Sequence, residues 1–167
     1  LFNSMNSDDY NLPMVSRLDI SGTINTPGGN GDAILINPTA AFGNVNIMQG
    51  AQINGNITSH ARLMNTISNT AYARPQMTFG FESDANGQVT MMPDSTFNFT
   101  FDDNIGGATL FDATFAGGTS NLNGTSSFNS TDVMMGATLA TTGTLNTGAL
   151  DLMNGGTLIS NGTVNAT

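Results

Sequence analysis

The sequence has no cysteine, no lysine and no tryptophan, and it has few charged residues of either sign. Without cysteine, the chain forms no disulfide bond and offers no thiolate metal site. Its only basic residues besides one histidine are three arginines, which face twelve acidic residues and leave a formal net charge of −9. Because binding to nucleic acid requires clustered basic side chains, this balance excludes nucleic acid as a partner.

Long hydrophobic runs are missing as well. No stretch approaches the roughly 18 consecutive apolar residues of a membrane helix, so we expect no direct membrane insertion by this segment. No basic region followed by an apolar stretch marks a signal peptide, and the first residue is Leu1 rather than methionine. We therefore expect an internal or processed piece of a longer protein.

The residues that are abundant predict a β-rich protein. Charged residues make up 9% of the chain, against about 25% in a typical soluble domain, so the surface must consist largely of Asn, Thr, Ser and Gly. The chain has 20 glycines, which allow turns and close backbone approaches. Threonine, valine, isoleucine and phenylalanine favour strands over helices.

Short units of similar pattern recur along the chain, and each places a small residue after glycine and then an aliphatic residue. Examples are Gly22-Thr23-Ile24, Gly50-Ala51-Gln52-Ile53, Gly136-Ala137-Thr138-Leu139, Gly143-Thr144-Leu145 and Gly156-Thr157-Leu158. Strands this short do not suit hairpins spaced at about 8–12 residues, but they suit the coils of a solenoid whose strands pair in parallel with the coils above and below. The pattern predicts a single β-helix domain over 15–167, preceded by a leader or linker at 1–14.

The centre of the chain is less regular. Phe97, Phe99 and Phe101 alternate with polar residues, so they are expected to share one face of a strand. The stretch 59–76 lacks the glycine pattern and is predicted to be an irregular insert. Because loops on a rigid scaffold commonly carry binding, ligand contacts are expected first within this insert, from His60, Arg62, Tyr72 and Arg74.

Two segments resemble the passenger domains of bacterial autotransporters, the type V secreted proteins. The segment 18–57 contains LDISGTI and GDAILINPTAAFGNVNIMQGAQINGNI, and it is similar to the β-helical coils of subtilisin-type autotransporters. The segment from Asn104 onward, with NIGGATLFDATFAGG and NGGTLISNGTVNAT, resembles the passenger-associated repeats of the same superfamily. The resemblance implies an all-β fold, a right-handed parallel β-helix (β-solenoid).

The same resemblance implies a structural or adhesive passenger segment, secreted or displayed on the bacterial cell surface at the outer membrane. The partners it implies are self-association or a ligand on a host or cell surface, with a C-terminal β-barrel translocator in the full-length protein. A first alternative is a non-catalytic stalk that follows a subtilisin-type serine protease domain. A second is a carbohydrate-active β-helix, either a polysaccharide lyase or a hydrolase.

Catalytic residues are not predicted in this chain, so we expect it not to be an enzyme. Its one histidine, His60, follows Ser59 directly, and no G-x-S-x-G elbow is present to position a nucleophile. The carboxylates that could act on a sugar are Asp102 with Asp103, and Glu82 with Asp84. Capping of turns is the favoured role for these aspartates.

Cofactors and metals are not predicted either. The segment 28–34, GGNGDAI, is close to the calcium-binding nonapeptide GGxGxDxUx, but its aspartate comes one residue early and the motif occurs once. The oxygen-rich segment 102–106 has Ala113 where an EF-hand loop needs its closing carboxylate. A glycine-rich turn is the favoured interpretation of the first segment.

Overall fold

The computed structural model describes residues 15–26, 31–65 and 72–167. Over these residues the chain is all-β, with twenty-two strands and no helix, and hence with no helix that is long and apolar enough to cross a membrane. The first eleven strands are β1 (Val15–Ile20), β2 (Thr23–Asn25), β3 (Asp32–Ile36), β4 (Phe42–Ile47), β5 (Gln52–Asn54), β6 (Asn56–Ser59), β7 (Met64–Asn65), β8 (Tyr72–Ala73), β9 (Gln76–Phe79), β10 (Phe81–Ser83) and β11 (Val89–Pro93). The remaining eleven are β12 (Asn98–Phe101), β13 (Ile105–Gly106), β14 (Asp112–Phe115), β15 (Thr119–Leu122), β16 (Thr125–Phe128), β17 (Ser130–Val133), β18 (Thr138–Thr141), β19 (Thr144–Thr147), β20 (Leu150–Leu152), β21 (Thr157–Ser160) and β22 (Thr163–Ala166).

Parallel strands stack in sheets that the chain visits in a fixed order. Sheet I is β1-β4-β9-β14-β17-β20, and sheet III is β3-β6-β13-β16-β19-β22. Sheet II has a short part, β2-β5, and a long part, β12-β15-β18-β21. Within the described residues the chain runs six times from sheet I through sheet II to sheet III, and we call each run a passage.

The spacing between stacked residues is constant in the last passages. Asn123 and Thr142, Ser127 and Asn146, and Asn146 and Asn165 are hydrogen-bonded pairs separated by 19 residues. The first three passages are longer. In the second and third, the extra residues include two antiparallel strand pairs, β7-β8 and β10-β11, inserted between strands of the stack.

The first antiparallel pair lies within the insert predicted at 59–76. Ser59 is the last residue of β6, Gln76 is the first residue of β9, and β7 pairs with β8 between them. Residues 66–71 of the insert lie outside the described residues, as does the predicted leader at 1–14.

The second antiparallel pair, β10-β11, was not predicted. It folds back toward sheet I, where the backbone N–H of Val89 donates to Asp19 Oδ2 at 3.4 Å. Asp84 caps its turn through Oδ1, which accepts the N–H groups of Asn86 and Gln88 at 2.8 and 2.9 Å. The Asn86-Gly87 step between two alternating segments is the sequence signal that could have revealed this hairpin.

The interior is a single hydrophobic cluster to which strands of all three sheets contribute. The prediction that Phe97, Phe99 and Phe101 share a face is confirmed, because all three are buried while the intervening Asn98 and Thr100 are exposed. In later passages, several inward-facing positions are occupied by serine or threonine. The buried serines and threonines of these passages are Ser120, Ser126, Thr131, Thr141 and Thr147.

Glycines are stacked at the corner between sheets II and III. A Cβ on Gly143 would lie 2.1 Å from the carbonyl oxygen of Gly124, and one on Gly162 would lie 2.0 Å from that of Gly143. Each passage therefore lies so close to the preceding one at this corner that only glycine fits there.

The core is uncovered at the last passage. Phe115, Val133 and Leu152 occupy one inward row of sheet I, and their exposed fractions are 1%, 0% and 44%. In sheets II and III the corresponding last residues, Leu158 and Val164, are only half-buried. Strands β20, β21 and β22 are terminal in their sheets, so their outer edges carry unpaired backbone groups.

Candidate binding groove

Polar side chains form hydrogen-bonded ladders on the outer surface of sheet II. In the short part, Thr23 Oγ1 donates to Gln52 Oε1 at 3.3 Å, and Asn54 Nδ2 donates to Asn25 Oδ1. These ladders join the first passage to the second. They arise because parallel, in-register strands place outward side chains of similar chemistry directly above one another.

The long part of sheet II continues the same pattern. Asn121 Nδ2 lies 3.4 Å from Thr100 Oγ1, and Asn123 Nδ2 donates to Asp102 Oδ1 at 2.7 Å. Thr142 Oγ1 extends the second of these ladders by donating to Asn123 Oδ1 at 2.8 Å.

The ladders of the short part of sheet II do not continue into those of the long part, because they are interrupted between β5 and β12. These two strands are neighbours, yet they belong to different hydrogen-bonded sheets. Ile57 pairs with Ile105 in sheet III, and Ile53 and Phe101 each precede these partners by the same number of residues. Ile53 and Phe101 thus occupy matching inward positions in successive passages, and both are buried.

The gap forms a groove with a volume of about 330 Å³. Hydrogen bonds close it at both ends: Asn98 N–H donates to Gln49 Oε1 at 3.0 Å, and Gly55 N–H donates to Asp103 Oδ2 at 2.7 Å. The groove is lined by Gln49, Gly50, Ala51, Gln52, Ile53, Asn54, Asn98, Thr100, Asp102 and Asp103.

The lining is polar and acidic, and it contains no basic residue. Asp102 and Asp103 each accept a hydrogen bond, from the Asn123 amide and the Gly55 N–H respectively. These hydrogen bonds join the end of β12 to the passages before and after it, rather than capping a local turn as the sequence predicted. A lyase acting on a sugar acid needs a basic residue over the carboxylate, and this groove offers none.

The residues predicted for ligand contact lie at the insert, away from this groove. His60 Nδ1 lies 3.4 Å from the N–H of Ala108, and Arg62 is half-buried with its backbone N–H donating to Ala40 O at 2.8 Å. Arg74 is half-buried just before β9. Tyr72 lies in β8, where its backbone pairs with Asn65.

The other carboxylates considered from the sequence do not line the groove. Glu82 is exposed in β10, and its backbone carbonyl oxygen accepts from Thr90 Oγ1 at 3.2 Å. Asp32 accepts a hydrogen bond from Thr58 Oγ1 at 2.5 Å, which links β3 to β6. Residues 27–30 of the glycine-rich segment lie outside the described residues. Among the residues that are described, no group of three or more His, Asp or Glu side chains is placed to hold a metal ion.

Three of the groove residues, Gln52, Asn54 and Thr100, were not singled out from the sequence. Alternation within QIN and NFTF places them on an outward face. Their proximity could not be predicted, because it depends on how a passage lengthened by two inserted hairpins aligns with the preceding one.

A second acidic feature lies on the outer surface of sheet I. Asp132 pairs directly with Asp151, and the pKa of Asp132 is raised above its ordinary value of 3.8 by burial, and further by the charges of Asp151 and Asp112. Like charges opposite each other on neighbouring strands destabilise a sheet.

We expect Asp132→Asn to raise the melting temperature at pH 7 by about 1–3 °C. The ionised carboxylate is penalised in the folded state, and this penalty fades as the pH falls through the raised pKa toward 3.8. Thermal unfolding followed by circular dichroism should therefore show the gain at pH 7 and none at about pH 3. Asp84→Asn is the opposite control: the N–H of Gln88 lowers the pKa of Asp84, so that variant should lose stability at pH 7. If Asp132→Asn changed the melting temperature equally at both pH values, the penalty on the ionised Asp132 carboxylate would not be the cause.

Comparison with known proteins assigns no function to the groove. No protein-family model matches the chain, and no curated protein or solved structure matches it. The function is therefore argued from the sequence and from the arrangement of its own residues.

Proposed function

We propose that this chain is a structural or adhesive segment of a secreted or surface-displayed bacterial autotransporter passenger, folded as a closed right-handed parallel β-helix. The observation that carries the proposal is the repeated passage through three sheets in one order, with parallel pairing between successive passages except between β5 and β12. The resemblance of 18–57 and of the segment from Asn104 to autotransporter passengers supports the cellular setting.

Closure of the three sheets around one core is supported by the composition of the hydrophobic cluster. Phe115 from sheet I, Leu139 from sheet II and Leu145 from sheet III belong to the same buried cluster. A right-handed path is supported by a general preference, because connections between parallel strands of one sheet are right-handed in about 98% of cases.

The proposed mechanism is geometric. Backbone hydrogen bonds run along the stacking axis from passage to passage, and the buried side chains form a continuous column. A rod of this kind separates whatever it carries from the cell surface. The same rigidity would serve a stalk behind a protease domain, so that alternative differs in its cargo rather than in the role of these residues.

Adhesion by self-association would use the outer faces of the stack. These faces carry Asn, Ser and Thr side chains and few charged residues. Side chains of this kind donate and accept hydrogen bonds. A second copy of the chain can supply matching donors and acceptors side by side.

We expect the purified chain to form dimers as its concentration rises. Thr142→Lys should weaken the dimers, because it places a charged side chain at an exposed position among the polar residues on the outer surface of sheet II. The matched comparison is Leu152→Lys, which adds the same charge in the last inward row of sheet I, where Leu152 is 44% exposed, and should keep the dimers. Sedimentation velocity over a wide concentration range measures the association of each variant.

A monomer at every concentration would reject self-association and leave a passive stalk. Dimers lost in Leu152→Lys but kept in Thr142→Lys would show that the contact forms at the end of the stack rather than on its outer faces, and would count against adhesion.

A further inference from the structure

We propose that the groove between β5 and β12 binds a short neutral saccharide. The inference deepens the adhesive part of the proposed function, since it names the chemistry of a surface ligand. Its test is independent of self-association, because the sugar response is read at the side-chain amides of the groove at a fixed concentration of the chain.

Four ladder side chains face one another across the gap, and the hydrogen bonds that they make run away from it. Gln52 and Asn54 bond to the first passage, through Thr23 and Asn25. Thr100 and Asp102 bond on the other side, to the passage after their own. The interruption therefore leaves the groove side of each ladder available to a ligand.

The remaining hydrogen-bonding capacity is mixed in kind. Gln52 uses Oε1 in its ladder, which leaves the amide N–H groups as donors. Thr100 accepts in its ladder and retains its O–H as a donor. Asn54 retains Oδ1 and Asp102 retains Oδ2 as acceptors. Sugar hydroxyls donate and accept at once, so a polyol can complete both interrupted ladders.

The charge of the lining selects against acidic ligands. Asp102 and Asp103 are the charged residues of the groove, and no arginine or histidine lines it. A uronic acid or a phosphate would place its negative charge beside these carboxylates without a compensating cation. A neutral sugar meets no such penalty.

The dimensions and the floor of the groove agree with a short saccharide. Its volume of about 330 Å³ lies at the lower end of the range of about 300–1,000 Å³ for small-molecule sites. Half-buried Ala51 supplies a small apolar surface for the C–H face of a sugar ring. The hydrogen bonds at Gln49 and Asp103 limit its length, so a long polymer would not lie along it.

The test is a titration of the ¹⁵N-labelled chain with neutral sugars, followed by NMR of the side-chain amides. The probes are lactose, cellobiose, maltose and N-acetylglucosamine, with galacturonic acid as the charged comparison. We expect at least one neutral sugar at millimolar concentration to shift the amide signals of Gln52, Asn54 and Asn98. The amides of Asn146 and Asn165, which form an uninterrupted ladder on sheet III, should not move.

Variants separate the groove from the rest of the surface. Asp102→Ala should weaken binding of the responding sugar about tenfold, which corresponds to loss of one hydrogen bond to a charged group. Thr100→Val should weaken it several-fold, and Thr142→Val, which removes a hydroxyl where the ladder is continuous, should leave binding unchanged. Circular dichroism confirms that each variant is folded.

Three results would overturn the inference. One is the absence of any shift at the groove with all four neutral sugars. Another is an equal response of the sheet III amides, which would indicate non-specific contact. The third is a groove response to calcium chloride alone, abolished by EDTA, which would make the site a cation site. None of these results bears on the dimer.

Discussion

Phe115→Ala is expected to lower the free energy of unfolding by about 3–5 kcal/mol, the usual cost of removing a fully buried phenylalanine. Phe115 is 1% exposed and stacks on Phe79, with ring centroids 4.6 Å apart and planes inclined by 5°. It also contacts Phe128 edge-on at 6.3 Å. The substitution therefore removes ring contacts in two directions and leaves a cavity in the middle of the stack.

The matched control is Leu152→Ala, since Leu152 occupies the same inward row two passages later but is 44% exposed. Leu152→Ala should lower the free energy of unfolding far less, because nearly half of the Leu152 surface is exposed to water. Chemical denaturation followed by circular dichroism gives both free energies. If both variants lost the same free energy of unfolding, burial within this inward row would not be the source of stability.

Gly143→Ala is the second large effect, with an expected loss of about 1–3 kcal/mol from overpacking. The added Cβ would lie 2.1 Å from the carbonyl oxygen of Gly124 and 2.3 Å from that of Asn123. Both atoms belong to the backbone of the preceding passage, so relief requires the passages to separate and weakens the ladder bonds around the corner.

Gly22→Ala is the control for this substitution, because no atom lies within 4 Å of the added Cβ and its φ is outside the left-handed region. That variant should be neutral or slightly stabilising, since alanine restricts the unfolded chain. Thermal unfolding of the two variants under one condition compares them. Tolerance of Gly143→Ala would mean that the corner is wider than the backbone distances indicate.

Sequence patterns were sufficient to predict the strands and their inward faces. Alternation identified Phe97, Phe99 and Phe101 as one face, and the glycine-centred units at 136–164 correspond to strands and corners of the last passages. These patterns succeed because each strand buries one side of a period-two backbone, so local sequence determines which side chains turn inward.

The site could not be predicted in the same way. The groove depends on β5 and β12 being neighbours although forty-three residues lie between Asn54 and Asn98, and part of that interval belongs to hairpins outside the stack. Its walls are ordinary Asn, Gln and Thr side chains, which occur throughout the chain. Only the alignment of the passages reveals that two ladders stop at the same place.

The constant spacing of 19 residues in the last passages makes one passage a modular unit of length. Removing or duplicating one such unit brings together strands that already share their register, their inward-facing positions and their corner glycine. Such a change shortens or extends the stack without creating a new type of contact. A gene encoding this architecture can therefore change the length of the stack in whole passages, by recombination between similar repeats, while the remaining contacts between passages keep their geometry.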